Sequence, residues 1–152
     1  MSHDAAWVET RELMEHVIKP EQKSEPLSGF TGGTEWMVDA SGCDRSALVD
    51  LQLVRSICDR VVADLGLSVV GDPVCHVFPG PGGVTALYLL SESHLACHTY
   101  PEHAFATFNL YCCRRRPAWP WRDELTRCLG SRDVVVRELH RDVRTEAMEA
   151  IR

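Results

Sequence analysis

The spacing of hydrophobic residues changes along the chain, and each change predicts a different element. One series recurs every three or four positions, which predicts a helix with one buried face that Gly66 ends. This series consists of Leu48, Leu51, Val54, Cys58, Val61, Val62 and Leu65. A second helix is predicted over 119–129, because Pro117 and Pro120 precede it and Gly130 closes it.

Short apolar runs around these helices suit β-strands, since they are rich in β-branched and aromatic residues. The predicted strands are 35–40, 67–78 with an interruption at 71–73, 84–91, 94–101, 104–112 or 113, and 134–139. Two connectors, 92–93 and 102–103, are short enough to join antiparallel neighbours. We therefore expect an α+β fold, with a mainly antiparallel sheet and two helices packed on one of its faces.

The chain of 152 residues is long enough for one domain with a single core. Residues 1–33 are polar and interrupted by proline and glycine, which is typical of a flexible N-terminal extension. The globular pattern covers 34–140, and 141–152 form a polar C-terminal tail. The first ten residues carry acids where a secretory signal has bases, and no apolar run reaches the ~20 residues of a membrane span. We therefore expect a cytoplasmic protein without a membrane partner.

Charge argues against nucleic acid as a partner. The chain has 16 Lys and Arg against 22 Asp and Glu, a net charge of −6. A nucleic-acid platform needs a basic face with interleaved aromatic residues. The one basic run, 114–116, is three adjacent arginines, which is typical of a solvated loop.

Seven cysteines are an odd number, which favours free thiols in a reducing compartment over a disulfide framework. A zinc site is not expected, because no pair has the Cys-x-x-Cys spacing and the adjacent Cys112 and Cys113 point to opposite faces of a strand. For the same reason Cys97 and His98 do not form a nucleophilic pair. The remaining cysteines, Cys43, Cys58, Cys75, Cys97 and Cys128, are interpreted as small buried hydrophobic residues.

Hairpin geometry separates the polar residues into two groups. If the first hairpin turns at 92–93, the numbers of paired positions sum to about 185, so that Leu87 pairs with His98 and Thr85 pairs with Tyr100. Thr85, His98 and Tyr100 then share one face of the sheet. If the second turns at 102–103, the sum is about 205, and Cys112 and Cys113 lie beside Ser93 and its neighbour. Ser93 and His98 are five residues apart, roughly 16 Å along a strand. If both groups serve one site, a second copy of the chain must supply one of them.

The run Ser91-Glu92-Ser93-His94, followed by His98-Thr99-Tyr100-Pro101-Glu102, closely resembles the bacterial S-adenosylmethionine decarboxylase proenzymes. The similarity extends over about 34–139. It implies an α/β two-layer sandwich, a homodimer with an active site shared between protomers, and self-cleavage between Glu92 and Ser93 into chains 1–92 and 93–152. The cleavage leaves a pyruvoyl group in place of Ser93. Such chemistry needs a strained turn and a general base.

The resemblance also implies residue roles. The pyruvoyl group forms a Schiff base with S-adenosylmethionine and accepts the electrons released as CO2 leaves, so no added cofactor or metal is expected. The product is the aminopropyl donor of spermidine synthesis. The matching residues are Cys113 as proton donor, His98 and Thr85 (a serine in the family) in processing, Phe78 and Tyr100 on the adenine, and Glu102 on the ribose.

Three alternatives stay open. The same pyruvoyl chemistry also decarboxylates arginine or ornithine, for which only the side-chain pocket would differ. The second alternative is a catalytically silent paralogue that activates a partner subunit, which is supported by Thr85 and by the N-terminal extension. A one-residue bulge in the strand would place Cys112, and not Cys113, towards the site. His76, His94 and His103 are interpreted as ordinary surface or core histidines.

Overall fold

The computed structural model describes residues 32–142, which form one antiparallel sheet with helices on one face. The strands are β1 (Gly32–Ser41), β2 (Val74–Val77), β3 (Val84–Leu90), β4 (Ser93–Tyr100), β5 (Phe105–Cys112) and β6 (Asp133–Asp142), in the order β2-β3-β4-β5-β1-β6. The helices are α1 (Arg45–Leu48), α2 (Leu51–Asp64) and α3 (Trp121–Leu129). The α+β fold class is confirmed. None of these helices is long and apolar enough to cross a membrane.

The core lies between the sheet and the helices, because the strands alternate buried and exposed positions. In β3, Val84, Ala86, Tyr88 and Leu90 are buried, whereas Leu87 and the other alternate positions face away from the helices. The helices contribute Val54, Ile57, Cys58 and Val61 from α2, and Trp121, Leu125 and Leu129 from α3. The opposite face, which we call the open face, carries no helix within 32–142 and exposes Met37, Leu87, Leu89, Tyr100 and Leu139.

The predicted helix ending at Gly66 is in fact two helices. The chain leaves α1 after Leu48, and Asp50 then begins α2 as its N-cap. One carboxylate oxygen of Asp50 accepts hydrogen bonds from the backbone N–H groups of Gln52 at 2.9 Å and Leu53 at 3.0 Å. Hydrophobic spacing missed this break, because Leu48 and Leu51 both face the core across it.

The two longest strands extend beyond their predicted limits. β1 begins at Gly32, where 35 was predicted, and β6 continues to Asp142, where 139 was predicted. The two pair over ten residues each, and Arg137 donates a 2.6 Å ion-pair contact to Asp39 while Arg141 pairs with Glu35. Of these charged residues only Arg141 lies beyond the predicted end of β6, and its pairing with Glu35 lies where the apolar pattern stops, so that pattern underestimates the length of the strand. The predicted extension and tail otherwise lie outside the described residues.

The register of the first hairpin differs from the prediction, and that of the second agrees. Leu90 pairs with Ser93, so the turn is Ser91-Glu92 and Thr85 pairs with His98, where Tyr100 was predicted. Leu87 faces Ala96, not His98. When a two-residue turn moves back by one position, the two residue numbers of every pair add to a total that is smaller by two. Each β3 residue therefore pairs with a β4 residue two positions earlier than predicted. In the second hairpin Ser93 pairs with Cys112, as predicted.

Candidate active site

The turn between β3 and β4 is fixed by backbone hydrogen bonds on both of its residues. The N–H of Ser91 donates to the carbonyl oxygen of Ser68 at 2.9 Å, and the N–H of Cys113 donates to the carbonyl oxygen of Glu92 at 3.1 Å. Outside glycine, only Ala104 has a positive φ within 32–142. The turn therefore does not have the strained φ that was expected there. It holds the Glu92 carbonyl in one orientation instead.

Two arginines of the loop after β5 form ion pairs with the side chain of Glu92. Nη2 of Arg116 donates to both carboxylate oxygens, at 2.8 and 2.7 Å, and Arg114 lies 3.8 Å from the same carboxylate. The Glu92 side chain is only 15% exposed. The prediction of a solvated arginine loop is wrong for Arg116, whose charge pairs with a carboxylate that the sheet removes from water.

Ser93 is the first residue of β4 and shares a face with the core positions of that strand. Its Oγ is buried, and among the described residues it forms no hydrogen bond of good geometry, only a weak interaction with the thiol of Cys112. Cys112 lies directly opposite and is fully buried. Because a thiol is a weak hydrogen-bond partner, the buried hydroxyl beside the held carbonyl is poorly satisfied.

The two adjacent cysteines contribute different groups to this turn. Burial raises the pKa of the Cys112 thiol, and the nearby Ser93 hydroxyl opposes the rise. Cys112 is therefore a neutral thiol at neutral pH. Cys113 is half-buried and provides the backbone N–H that holds the Glu92 carbonyl. The sequence left both cysteines open as the one beside Ser93, and the structure puts the Cys112 thiol in that position.

A second group of predicted residues lines one cleft on the open face. Oγ1 of Thr85 and Nδ1 of His98 are 2.7 Å apart in a hydrogen bond whose donor depends on the histidine tautomer. This pair fixes the plane of the imidazole ring. The cleft, of about 340 Å³, is lined by Phe78, Pro81, Gly83, Thr85, His98, Thr99, Tyr100 and Glu102. The cleft therefore brings together all the site residues that the resemblance implies outside the turn. They are Phe78, Thr85, His98, Tyr100 and Glu102.

His76 also belongs to this region, although the sequence interpretation gave it no role. It pairs with Thr85 across β2 and β3, and its ring meets Phe78 edge to face at 4.6 Å. It lies next to the bonded Thr85 and His98 on the same face. The register of β2 is the signal that identifies His76, and the glycine-interrupted segment 67–78 did not reveal that register.

Cys97 and His98 do not cooperate, as their adjacent positions predicted. Cys97 is fully buried on the helix side, and burial raises its pKa well above the usual value for a thiol. His98 is exposed on the open face. Of the other cysteines interpreted as core, Cys43 and Cys58 are buried, whereas Cys75 and Cys128 are only half-buried.

The group at the turn and the group in the cleft do not meet within one chain. Ser93 and His98 belong to the same strand, five residues apart, which is roughly 16 Å of extended chain. Their side chains also leave opposite faces of the sheet, since their positions differ by an odd number. One substrate atom cannot touch both groups of a single chain.

Comparison with known proteins points to one family. A family model described as S-adenosylmethionine decarboxylase matches residues 34–142. The chain is 38% identical over 96 residues to a Symbiobacterium thermophilum protein named S-adenosylmethionine decarboxylase proenzyme, covering 62% of this chain and 70% of that protein. It is 30% identical over 112 residues to a protein of that name from Pelotomaculum thermopropionicum, covering 73% and 87%.

Two further comparisons extend this finding. The structure resembles the crystal structure of the adenosylmethionine decarboxylase from Aquifex aeolicus, with a TM-score of 0.62, 26% identity, and coverage of 76% of this chain and 95% of that one. The chain is also 33% identical over 81 residues to an Aeropyrum pernix protein named arginine decarboxylase proenzyme, covering 53% of this chain and 61% of that protein.

The different environments of the two cysteines predict different reactivity. In the Cys113→Ser variant, alkylation of Cys112 by iodoacetamide at pH 8 should be at least about tenfold slower than alkylation of Cys113 in Cys112→Ser. The reason is that burial lowers both the thiolate fraction and access to it. Peptide mass spectrometry at timed intervals measures both rates. Denatured samples are the control and should react alike; equal rates in the folded proteins would contradict the assignment of Cys112 as the buried thiol.

Proposed function

Because the chain belongs to the S-adenosylmethionine decarboxylase family, and is a decarboxylase of that family, we propose that it cleaves itself between Glu92 and Ser93 and then decarboxylates S-adenosylmethionine. The observation that carries this proposal is the buried Ser93 hydroxyl, which has no hydrogen bond of good geometry and lies directly after a carbonyl that accepts a hydrogen bond from the Cys113 N–H. These residues also fit a pyruvoyl group, since that group is made from a serine at this place.

The cleavage uses groups that the turn already holds. Oγ of Ser93 attacks the carbonyl carbon of Glu92, the negative charge develops on the oxygen that the Cys113 N–H contacts, and the hydroxyl proton passes to the amide nitrogen. The peptide bond is then an ester. A base then takes the Cα proton of Ser93, a role that the resemblance implies for His98 with Thr85, and the Glu92 carboxylate leaves. Water then enters and ammonia leaves, so that residue 93 becomes a pyruvoyl group at a new chain end.

A pyruvoyl group supplies a ketone that captures the substrate amine and an electron sink for the bond to the departing carboxylate. The chain's own residues bind the substrate and move protons. Phe78 and Tyr100, which are exposed on the walls of the cleft, would stack on adenine, and Glu102 would accept hydrogen bonds from the ribose hydroxyls. The thiol of Cys113 would donate a proton to the substrate α-carbon. The neutral thiol of the adjacent Cys112 is the alternative donor.

The separation of the two groups favours a homodimer with a shared site. Each site would take residue 93 and Cys113 from one protomer, and Thr85 and His98 from the other. Apolar side chains on the open face, such as Leu87 at 46% and Leu89 at 61% exposure, suit contact with a second copy. Once cleaved from Glu92, residue 93 is a chain end that the turn no longer constrains, so it can reach the partner's cleft.

The product would be decarboxylated S-adenosylmethionine, an aminopropyl donor for spermidine. The relative named arginine decarboxylase proenzyme makes arginine the second candidate substrate, and ornithine follows the same logic. The aromatic cleft favours S-adenosylmethionine, because guanidinium or ammonium recognition would need acidic groups more than two stacking rings. A silent paralogue is disfavoured, since Ser93 and the bonded pair of Thr85 and His98 are all present. The cytoplasmic location stays a prediction.

Self-cleavage predicts a specific loss on serine substitution. Ser93→Ala should remain a single chain, because it has no nucleophile, whereas Ser91→Ala should cleave like the wild type despite lying two residues away. Denaturing gel electrophoresis over time distinguishes one band from two. An uncut wild type, or a Ser93→Ala variant that cuts at the same bond, would contradict the proposed chemistry.

Substrate choice is tested by release of CO2 from S-adenosylmethionine, arginine and ornithine in separate assays. We expect turnover of S-adenosylmethionine alone. Tyr100→Ala should raise its KM by about tenfold or more, since stacking on a base contributes roughly 1–3 kcal/mol. Phe105→Leu is the control for losing an aromatic neighbour of Tyr100 without losing the stacking ring itself, because the Phe105 ring lies 6.0 Å from that of Tyr100 but outside the lining of the cleft. Turnover of arginine or ornithine instead would replace the substrate assignment.

A shared site predicts complementation between two inactive variants. Co-expressed Ser93→Ala and His98→Ala chains should regain about a quarter of wild-type activity, since half of randomly formed dimers are mixed and each has one intact site. Each variant alone, at the same total concentration, is the control. Mixed dimers that form, as native mass spectrometry can show, but release no CO2 would exclude the shared site.

A further inference from the structure

The loop after β5 concentrates positive charge around one carboxylate. Arg116 binds both oxygens of Glu92 at 2.8 and 2.7 Å, and Arg114 lies 3.8 Å away with its side chain 75% exposed. Among the described residues no other cation contacts this carboxylate in an ion pair. Two positive charges therefore face one negative charge at the turn.

Arg116 also has a donor left over. Its Nε is buried and makes no hydrogen bond with any described residue, although its Nη2 binds Glu92. A guanidinium presents five N–H donors in one plane. It can therefore bind a second carboxylate through Nε while Nη2 still binds the side chain of Glu92. A buried donor without an acceptor indicates a partner that is absent before the reaction.

The proposed cleavage creates such a partner. Breaking the bond to Ser93 makes Glu92 a chain end, and its former carbonyl carbon becomes a second carboxylate beside the first. The charge at residue 92 rises from one negative to two, which matches the two arginines already there. Without a counter-charge, two carboxylates on one residue would repel each other and favour release of the new chain end into water.

We propose that Arg116 is a positioning residue for self-cleavage, which holds the Glu92 side chain before the bond breaks and binds the new carboxylate afterwards. Before cleavage, the grip on the side chain restricts the rotation of Glu92 and keeps its carbonyl carbon within reach of Ser93 Oγ. After cleavage, the same guanidinium keeps the end of chain 1–92 in place. This inference rests on the proposed self-cleavage.

The first role is tested by the rate of self-cleavage in purified, freshly synthesised protein. Arg116→Gln should slow cleavage by about tenfold or more. Arg116→Lys should recover only part of the rate, because an ammonium keeps the charge but lacks the planar guanidinium that orients Nη2 towards both oxygens. Arg115→Gln is the matched control, since Arg115 is adjacent but makes no described hydrogen bond or ion pair with Glu92.

A double-mutant cycle separates this role from a general loss of folding. Glu92→Gln removes the carboxylate but leaves Arg116 unsubstituted, and it should slow cleavage by about the same factor as Arg116→Gln. The double variant should then cleave no more slowly than either single variant. Additive losses would mean that Arg116 acts on something other than Glu92, and would overturn the first role. Wild-type speed in Arg116→Gln would overturn it as well.

The second role is tested on protein that has finished cleavage. Carboxypeptidase should release Glu92 from chain 1–92 slowly in the wild type and at least about tenfold faster in Arg116→Gln, with Arg115→Gln like the wild type. Equal release rates in all three would overturn the second role. If the wild type never cleaves, the proposed function itself fails. If the wild type cleaves and Arg116→Gln matches it in both assays, this inference alone fails.

Discussion

The geometry of the candidate site depends on the register of one two-residue turn. Because Leu90 pairs with Ser93, the turn Ser91-Glu92 places the Glu92 carbonyl against the Cys113 N–H. The same register puts Thr85 opposite His98, where their side chains bond at 2.7 Å. A shift by one residue would invert the faces of β4 and separate every one of these contacts. The chemistry of the site is thus set by backbone pairing before any side chain contributes.

Strand geometry also explains why the shared site is proposed between two copies of the chain. The rise per residue is nearly constant in a strand, so the five residues between Ser93 and His98 cannot be compressed to bring the two groups together. The fold places the buried Ser93 hydroxyl at one end of β4 and the imidazole of His98 farther along, on the open face. In the proposed homodimer a second copy related by symmetry would supply the missing group, once cleavage has freed residue 93 from the turn. The apolar side chains of the open face are consistent with such an assembly.

Much of the fold could be predicted from the sequence, because burial alternates with the period of each element. Five strands, the two longer helices and the register of the second hairpin follow from that pattern, whereas only Val74–Val77 of the predicted strand 67–78 is a strand. The first hairpin was misplaced by one turn position, since Ser91, Glu92 and Ser93 are all polar and the pattern does not distinguish them. The break at Asp50 and the grip of Arg116 on Glu92 depend on single side-chain contacts, which hydrophobic spacing does not encode. The site groups were predicted from the motif, whereas His76 needed the register of β2.

If the turn converts its own serine into a pyruvoyl group, the mass balance of the wild-type protein must show it. Intact-mass measurement under denaturing conditions should find two chains, 1–92 and 93–152. Their summed mass should equal that of the precursor plus one water minus one ammonia, as the loss of the Ser93 nitrogen requires. A single uncut chain would contradict self-cleavage, and two chains whose summed mass equals the precursor plus one water would show simple hydrolysis instead.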